Sequence, residues 1–230
     1  MSKSKTVIEI PAELISQIAA EQAVVFVGSG PSQGAGLPGW AGALRALIDF
    51  GAKSGVLDTK IRKQLERGVK SGKFLQVAEE VRDRLPPDQF RQALVEIFRP
   101  ASIKPAAVHQ TLVQIPFRSI VTTNYDPLIE TAFAAEHKRL VPVYTQQQPP
   151  ELSAALRGDH FHVLKIHGDI NRVETIILGT KDYRAAIYGL GAYRTFMTAL
   201  FTTRTVLFLG YGLNDPDLQT VLEQLRHDFR

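Results

Sequence analysis

Short runs of consecutive apolar residues alternate along the chain with stretches in which apolar residues recur every three or four positions. The second spacing predicts helices, and an unbroken run predicts a strand that is buried on both faces of a parallel sheet. A helix is expected at residues 11–21, and the first buried strand at 23–27. Further strands are predicted at 119–122, 141–144, 162–166, 175–178 and 206–209. The alternation predicts an α/β fold with a doubly wound, mainly parallel sheet of about six strands.

Residues 41–114 interrupt this alternation because they contain four successive amphipathic stretches and no convincing strand. We interpret them as a helical module inserted into a single domain that spans residues 1–230. Helices are also predicted at 127–135, within 182–201, and from Asp215 onward. A length of 230 residues suits one compact domain with such an insertion.

Composition narrows the class of protein. Hydrophobic residues make up 44% and charged residues 22%, as in ordinary globular domains. The chain has no cysteine, which excludes disulfides and any four-cysteine zinc ribbon, and no other metal site is expected. No apolar run is long enough to span a bilayer, so we expect a cytoplasmic protein that does not bind membranes. The 27 basic and 23 acidic residues are interleaved, so direct nucleic-acid binding is not expected.

A glycine-rich turn follows the first buried strand, where Rossmann-like domains place the loop that meets a pyrophosphate. Gly28 and Gly30 would let backbone N–H groups approach an anion, with Ser29 and Ser32 beside them. Gln33 occupies the third glycine position of the dinucleotide motif, and no Gly-Lys-Ser/Thr of a P-loop follows. A tight turn without a ligand therefore remains an alternative for this segment.

Polar residues also follow the second predicted strand, in the segment Thr-Thr-Asn-Tyr-Asp. Ligands bind at the carboxyl edge of such sheets, so Thr123, Asn124 and Asp126 are candidates. Asn124 is suited to hold a water or a ribose hydroxyl, and Asp126 to bind an amide. The alternative is that one of these two residues only caps the helix that begins near Pro127.

Two more loops are expected at the same edge of the sheet. His167 follows a predicted strand, and its imidazole titrates near neutral pH, so it can accept a proton from a hydroxyl or a water. Gly210 and Tyr211 follow the last predicted strand, where the backbone can approach an adenosine and the ring can stack on it. Asn214 or Asp215 can bind a ribose. A tight turn and a helix cap explain this last loop almost as well.

Taken together, these motifs resemble those of the sirtuins. The run from Gly28 to Trp40 is similar to the sirtuin glycine-rich turn, with Trp40 at its aromatic position. Thr-Thr-Asn-Tyr-Asp resembles the sirtuin Thr-Gln-Asn-x-Asp, and His167-Gly168 resembles the catalytic His-Gly pair. More narrowly, that segment and Gly-Tyr-x-x-x-Asp-Pro-Asp resemble the divergent, zinc-free sirtuin-like domains of bacterial antiphage NAD hydrolases.

The resemblance implies that NAD+ is the substrate and that the chain is an NAD+ glycohydrolase (NAD+ nucleosidase), which releases nicotinamide and ADP-ribose. It implies catalytic roles for Asn124, which orients the ribose or water, for His167 as a base, and for Asp126, which contacts the carboxamide. No metal takes part in this assignment. The implied NAD-binding residues are Gly28, Ser29, Gly30, Ser32, Trp40, Thr123, Gly210, Tyr211, Asn214 and Asp215.

Departures from the sirtuin pattern leave other functions open. Gly39 replaces an Asp, Ala41 replaces an Arg, and the zinc module that helps to form the acyl-lysine cleft is missing. A zinc-free deacylase or ADP-ribosyltransferase is one alternative, and a non-catalytic module that binds NAD or ADP-ribose is another. The resemblance further implies an antiphage effector that aborts infection by depleting NAD. Its expected partners are further copies of itself, an ATPase or Argonaute-type protein, or a sensor domain outside this chain.

Overall fold

A computed structural model of the protein describes residues 9–158, 160–189 and 191–212, together with the single positions 219, 223, 226 and 227. Within helix 180–189 the side chains of residues 187 and 188 are not described. The predicted ribose-binding residues Asn214 and Asp215, and the helix predicted to begin at Asp215, lie outside the described residues.

Five parallel strands form one sheet in the described part of the chain, in the order β3-β4-β2-β1-β5. All five residues of the central strand β1 are buried, which explains its unbroken apolar sequence. The pairing aligns Val27 with Thr122 and Leu209, and Thr122 with Lys165, so that four strands end at one level. The strands are β1 (Ala23–Val27), β2 (Ser119–Thr122), β3 (Val143–Thr145), β4 (Val163–Lys165) and β5 (Thr205–Leu209).

Helices cover both faces of the sheet, which confirms the predicted doubly wound α/β architecture. Alternate residues of β1 enter different cores: Val24 and Phe26 pack with α9 and α11, and Val25 packs with α7 and α8. The helices are α1 (Ala12–Ala19), α2 (Gly30–Gly34), α3 (Trp40–Lys53), α4 (Thr59–Lys70), α5 (Phe74–Arg84), α6 (Pro87–Phe98), α7 (Ala107–Gln114), α8 (Leu128–His137), α9 (Pro149–Arg157), α10 (Thr180–Gly189) and α11 (Gly191–Thr203). A short 3₁₀ helix spans Val173–Thr175.

Helices α3 to α6 form the helical module between β1 and β2, as the four amphipathic stretches predict, whereas α7, which also lies within the predicted bounds 41–114, packs with α8 on the sheet. The Asp58 carboxylate accepts hydrogen bonds from the N–H groups of Lys60 and Ile61 and so starts α4, and a proline occupies the first turn of α6. The module buries its own apolar core, which also takes in Tyr125 and Ile176 from the sheet region. The module is therefore packed directly against the loops that follow the strands.

The prediction of a strand at 175–178 is wrong. Ile176, Ile177 and Leu178 are as buried as strand residues, which explains the apolar run. Their backbone groups, however, make single hydrogen bonds to separate loops instead of pairing with a strand. The Ile177 N–H donates to the His167 carbonyl, and the Ile177 carbonyl accepts from the Tyr125 hydroxyl. The Leu178 N–H donates to the Asp182 carboxylate. The sheet consequently has five strands in the described residues rather than about six.

Candidate functional site

A cleft of about 570 Å³ lies between the carboxyl ends of the strands and the helical module. Its volume is within the range of roughly 300–1,000 Å³ that is usual for small-molecule sites. We call the polar side chains that line it at the sheet edge the polar wall: Ser29, Ser32, Thr123, Asn124, Asp126 and His167. We call the side chains that line it in and just before the module the apolar wall: Leu37, Pro38, Trp40, Phe74, Leu75 and Phe98.

Asn124 ties the loop after β2 to the glycine-rich turn after β1. Its side-chain Nδ2 donates to the Gly28 carbonyl at 2.8 Å and to the Ser32 hydroxyl at 3.0 Å. Its own N–H donates to the Thr122 hydroxyl, which in turn donates to the Val27 carbonyl. These bonds fix the orientation of the amide, because both hydrogens of its nitrogen have acceptors.

Asp126 has two functions in the same structure. One carboxylate oxygen accepts a hydrogen bond from the N–H of Leu128 at 3.1 Å and so caps the start of α8. The other accepts one from the Ser32 hydroxyl at 2.8 Å. The alternative of helix capping is therefore observed for Asp126, yet the residue also lines the cleft. Ser32 connects Asn124 and Asp126 through its single hydroxyl.

The loop after β4 carries His167, which is buried and lines the cleft. The ring of Tyr183 on α10 meets the imidazole edge-on, with centroids 5.1 Å apart and the hydroxyl 3.4 Å from Nδ1. Gly168 has φ of +96°, and a Cβ there would lie 2.3 Å from the carbonyl oxygen of Thr175. The His-Gly pair thus has a physical reason, since only glycine fits the turn that presents His167.

Gly28, Gly30 and Gly210 do not line the cleft. They let the turns after β1 and β5 pack backbone against backbone: the Gly28 N–H donates to the Leu209 carbonyl and the Gly30 N–H to the Gly210 carbonyl. A Cβ on Gly28 would lie 2.4 Å from the Gly210 oxygen. Their direct structural role is this close contact, which holds Ser29 and Ser32 in place.

The remaining predicted binding residues that the structure describes, Trp40, Thr123 and Tyr211, line the cleft. Trp40 is the first residue of α3 and packs on the module core. The Tyr211 ring centroid lies 5.0 Å from that of Phe26 and 6.0 Å from that of Phe208. The ring therefore also packs against the hydrophobic core that α9 and α11 form with the sheet.

Lys165, the last residue of β4, was not singled out by sequence reasoning. Its side chain is fully buried, and Nζ lies 2.6 Å from the Glu130 carboxylate and 3.3 Å from that of Asp169. Burial alone would lower the pKa of Lys165, but attraction to these carboxylates outweighs burial and raises the pKa above its ordinary value. Burial raises the pKa of Glu130, and the nearby ammonium offsets this only in part. The sequence signal that could have identified Lys165 is a single basic residue within an otherwise apolar predicted strand.

The structure therefore brings together most of the predicted residues, with Asn124, Asp126 and His167 around one cleft. Sequence reasoning missed Tyr183, Phe74 and Phe98, because none of them belongs to the motifs. Within the described ranges, no group of three or more His, Asp or Glu side chains is placed to hold a metal ion. No described helix has the length and apolarity that a membrane crossing requires.

Comparison with known proteins supports the resemblance. Residues 118–230 match the SIR2-like domain family. The chain is 27% identical over 216 residues to the NAD(+) hydrolase ThsA of Acinetobacter baumannii and 25% identical over 214 residues to that of Cytobacillus dafuensis. These alignments cover 94% and 93% of the chain but only 42% and 40% of the relatives. It is also 22% identical to the defense-associated sirtuin 2 of Bacillus subtilis, covering 96% of the chain and 21% of that protein.

Proposed function

We propose that this chain, whose residues 118–230 match the SIR2-like domain family, is an NAD+ glycohydrolase that cleaves the nicotinamide–ribose bond. The single observation that carries the proposal is the convergence of Asn124, Asp126 and His167 on one cleft at the carboxyl edge of the sheet. The ThsA relatives are named as NAD(+) hydrolases, and this chain spans about two fifths of their length.

The reaction suits these side chains. Nicotinamide leaves as a neutral base from a cationic N-glycoside and takes the bonding electron pair with it, so no strong acid is needed. The ribose passes through an oxocarbenium-like state, and a water oxygen then bonds to the anomeric carbon. The Asn124 amide oxygen orients this water or a ribose hydroxyl, because its nitrogen is committed to Gly28 and Ser32. His167 accepts the proton that the water loses.

Asp126 and the glycine-rich turn hold the nicotinamide and the pyrophosphate of the substrate. Each carboxylate oxygen of Asp126 accepts one protein hydrogen bond and has a further lone pair for the nicotinamide carboxamide. Ser29 and Ser32 bind the phosphates, and Gly28, Gly30 and Gly210 keep the turn that carries these serines in position. Trp40, Thr123 and Tyr211 contact the rest of the dinucleotide. Asn214 and Asp215 remain proposed ribose contacts, outside the described residues.

The test is nicotinamide release from NAD+ by the purified protein and two variants, followed by chromatography. Removal of acid–base or positioning help typically lowers the rate by about a hundred- to ten-thousand-fold, so Asn124→Ala and His167→Ala should fold but lose activity to this extent. His160→Ala, at an exposed position before β4, is the matched control and should retain activity. Undiminished release by both site variants would contradict the assignment.

Mass spectrometry of the products separates the alternatives. Free ADP-ribose supports hydrolysis, whereas O-acyl-ADP-ribose or a modified protein would indicate a deacylase or an ADP-ribosyltransferase. Saturable NAD+ binding without turnover, in the oligomeric or partner-bound form as well, would indicate a regulatory binding module.

The biological setting is part of the same proposal. We place the chain as a single NAD-binding domain of a cytoplasmic antiphage effector, with residues 41–114 as its helical insertion. It would act as a homo-oligomer, with an ATPase or Argonaute-type partner, or under a sensor domain outside this chain. Cellular NAD should then fall on phage infection in cells that carry the wild-type protein but not in those that carry Asn124→Ala.

A further inference from the structure

Lys165 occupies an unusual position between the two loops that carry the proposed catalytic residues. Its Nζ donates to the backbone carbonyls of Tyr125 at 3.2 Å and of Asp126 at 2.7 Å, both in the loop after β2. It also contacts the Asp169 carboxylate at 3.3 Å, in the loop after β4. The carboxylate of Glu130, in the first turn of α8, also contacts Nζ.

A lysine that is fully buried must have its charge compensated, because transfer of an unpaired ammonium into the interior is strongly unfavourable. One carboxylate would suffice for that compensation. The two carbonyl contacts have a different consequence, since they hold the backbone on either side of the Tyr125–Asp126 peptide bond. Asp169 is itself held within its own loop by hydrogen bonds from the N–H and the side-chain amide of Asn171, so the ammonium contacts a carboxylate whose position is fixed.

The two linked loops are those whose relative position decides the proposed chemistry. Asn124 and Asp126 belong to the first, and His167 lies two residues before Asp169 in the second. The strands beneath them are neighbours, with Thr122 paired to Lys165, but strand pairing ends at that level. Beyond it, Lys165 joins the two loops alongside two hydrogen bonds of Tyr125, whose carbonyl accepts from the Ile170 N–H and whose hydroxyl donates to the Ile177 carbonyl.

We propose that Lys165 is a positioning residue for NAD+ cleavage, and that its ammonium sets the distance between the loop of Asn124 and Asp126 and the loop of His167. This proposal rests on the proposed function. It assigns to Lys165 no contact with substrate. Displacements of about 1 Å in a catalytic arrangement can lower the rate about a hundredfold, so a lost link between the loops should reduce kcat strongly.

The experiment compares two variants that differ only at the lysine. Glu130→Gln removes one charged partner of the Lys165 ammonium. It leaves the hydrogen bonds of the ammonium to the Tyr125 and Asp126 carbonyls and to the Asp169 carboxylate, so kcat should stay within about threefold of the wild type. Lys165→Met with Glu130→Gln replaces the ammonium by an apolar group of similar length and removes one of the two carboxylates as well. Its kcat should fall about a hundredfold, while the KM for NAD+ changes by less than about threefold.

A merely structural role makes the opposite prediction. Activity would then follow thermal stability, and any double variant with the Tm of Glu130→Gln would also have its kcat. That result would overturn the proposal. If the double variant does not fold, Lys165→Gln with Glu130→Gln takes its place. The Gln amide has two donor hydrogens where the ammonium has three, and its side chain is shorter, so it should keep only part of the link between the loops. Its kcat should lie between those of the Lys165→Met double variant and of Glu130→Gln, and a kcat equal to that of Glu130→Gln would again overturn the proposal.

Crystal structures of the wild type and the double variant give a readout that does not depend on activity. The distance between the Asp126 carbonyl and the His167 ring should change by about 1 Å, the scale at which rates respond. If the wild-type protein releases no nicotinamide, the proposed function fails, and this distance alone decides the role of Lys165. An unchanged distance would overturn it.

Discussion

The two walls of the cleft are built in different ways. In the polar wall, single hydrogen bonds join segments more than ninety residues apart: Ser32 donates to Asp126, and Asn124 donates to Gly28. In the apolar wall, Trp40, Phe74 and Phe98 are held by packing on the module core. Hydrogen bonds depend on the position of individual atoms, whereas packed apolar surfaces tolerate modest changes of shape.

This difference predicts different kinetic consequences. A change in the polar wall that moves Asn124, Asp126 or His167 should lower kcat, because these side chains act on the reacting bond. A change in the apolar wall alters contact with parts of the substrate that do not react, so it should raise KM with kcat unchanged. The following variants test the contrast, beginning with the largest expected effect.

Gly168→Ala should be the most damaging change to the polar wall. The positive φ and a Cβ placed 2.3 Å from the Thr175 carbonyl oxygen should together cost about 3 kcal/mol or more in the free energy of unfolding. His167 would move with the loop, so activity should be lost even at temperatures where the variant is folded. Urea unfolding and nicotinamide release measure the two effects.

Gly55→Ala provides the control for this change. Gly55 also has a positive φ, +73°, but a Cβ there meets no atom within 4 Å. The strained backbone alone should cost about 1 kcal/mol and leave kcat unaltered. If both variants lost the same free energy of unfolding, the close approach of Thr175 to Gly168 would not contribute to the effect of Gly168→Ala.

The acid dependence of the free energy of unfolding should come in large part from His162, which immediately precedes β4 and does not line the cleft. Burial lowers the pKa of His162 from 6.5 to about 4, against a weaker opposing effect of its bond to the His160 carbonyl. The unfolded chain therefore binds a proton that the folded chain resists, and stability should fall as the pH decreases from 6.5 towards 4. One pKa unit corresponds to about 1.4 kcal/mol, so His162 contributes up to about 3 kcal/mol of this loss.

His162→Phe should flatten the free energy of unfolding between pH 6.5 and 4, measured in urea at several pH values. Some slope should remain, because burial also lowers the pKa of His109. A slope as steep as in the wild type would show that His162 is not the source. The pH dependence of kcat should be the same in both proteins, since His162 does not line the cleft.

Ser32→Ala removes the hydroxyl that connects Asn124 with Asp126. The loss of two buried hydrogen bonds should cost about 1–2 kcal/mol of stability and lower kcat roughly tenfold, because both catalytic side chains lose a shared contact. Ser29→Ala is the natural contrast, since the Ser29 hydroxyl accepts a bond from Gln33 only among the described contacts. It should change KM rather than kcat. A reversal of these two patterns would contradict the arrangement.

Phe74→Leu should have the smallest effect. It reduces an aromatic contact worth about 0.5–1.5 kcal/mol, so KM for NAD+ should rise about two- to tenfold with kcat unchanged. Phe90→Leu changes a buried phenylalanine of the same module that does not line the cleft. It should affect Tm and leave KM alone. A fall in kcat for Phe74→Leu would mean that the apolar wall also positions the reacting groups.

The polar wall was accessible to sequence analysis because its residues occur in short motifs directly after strands. Strand ends lie at one edge of a parallel sheet, so His167 and Asn124 could be placed together although they are 43 positions apart. The helical module was also predictable from its apolar spacing. The role of Gly28 was predicted only in part, because the sequence shows that a turn is tight but not that another backbone, at Gly210, fills the space.

The apolar wall and the buried lysine were not predictable in the same way. Phe74 and Phe98 fit the amphipathic pattern of a core, and nothing local distinguishes a ring that faces a cleft from one that faces another helix. Residues 175–178 are as buried as a strand but do not pair with one. An apolar run in a sequence indicates burial and does not by itself indicate strand pairing. The proposed role of Lys165 depends on its contacts with Glu130 and the Tyr125 carbonyl. Only the tertiary structure brings these groups together.

The most direct test of the central claim is a crystal structure of His167→Ala with NAD+ bound. We expect the nicotinamide riboside to lie in the cleft, with the ribose within hydrogen-bond distance of the Asn124 amide oxygen, the carboxamide at Asp126, and the phosphates at Ser29 and Ser32. NAD+ bound outside the cleft, or with its nicotinamide–ribose bond away from Asn124 and position 167, would contradict this expectation.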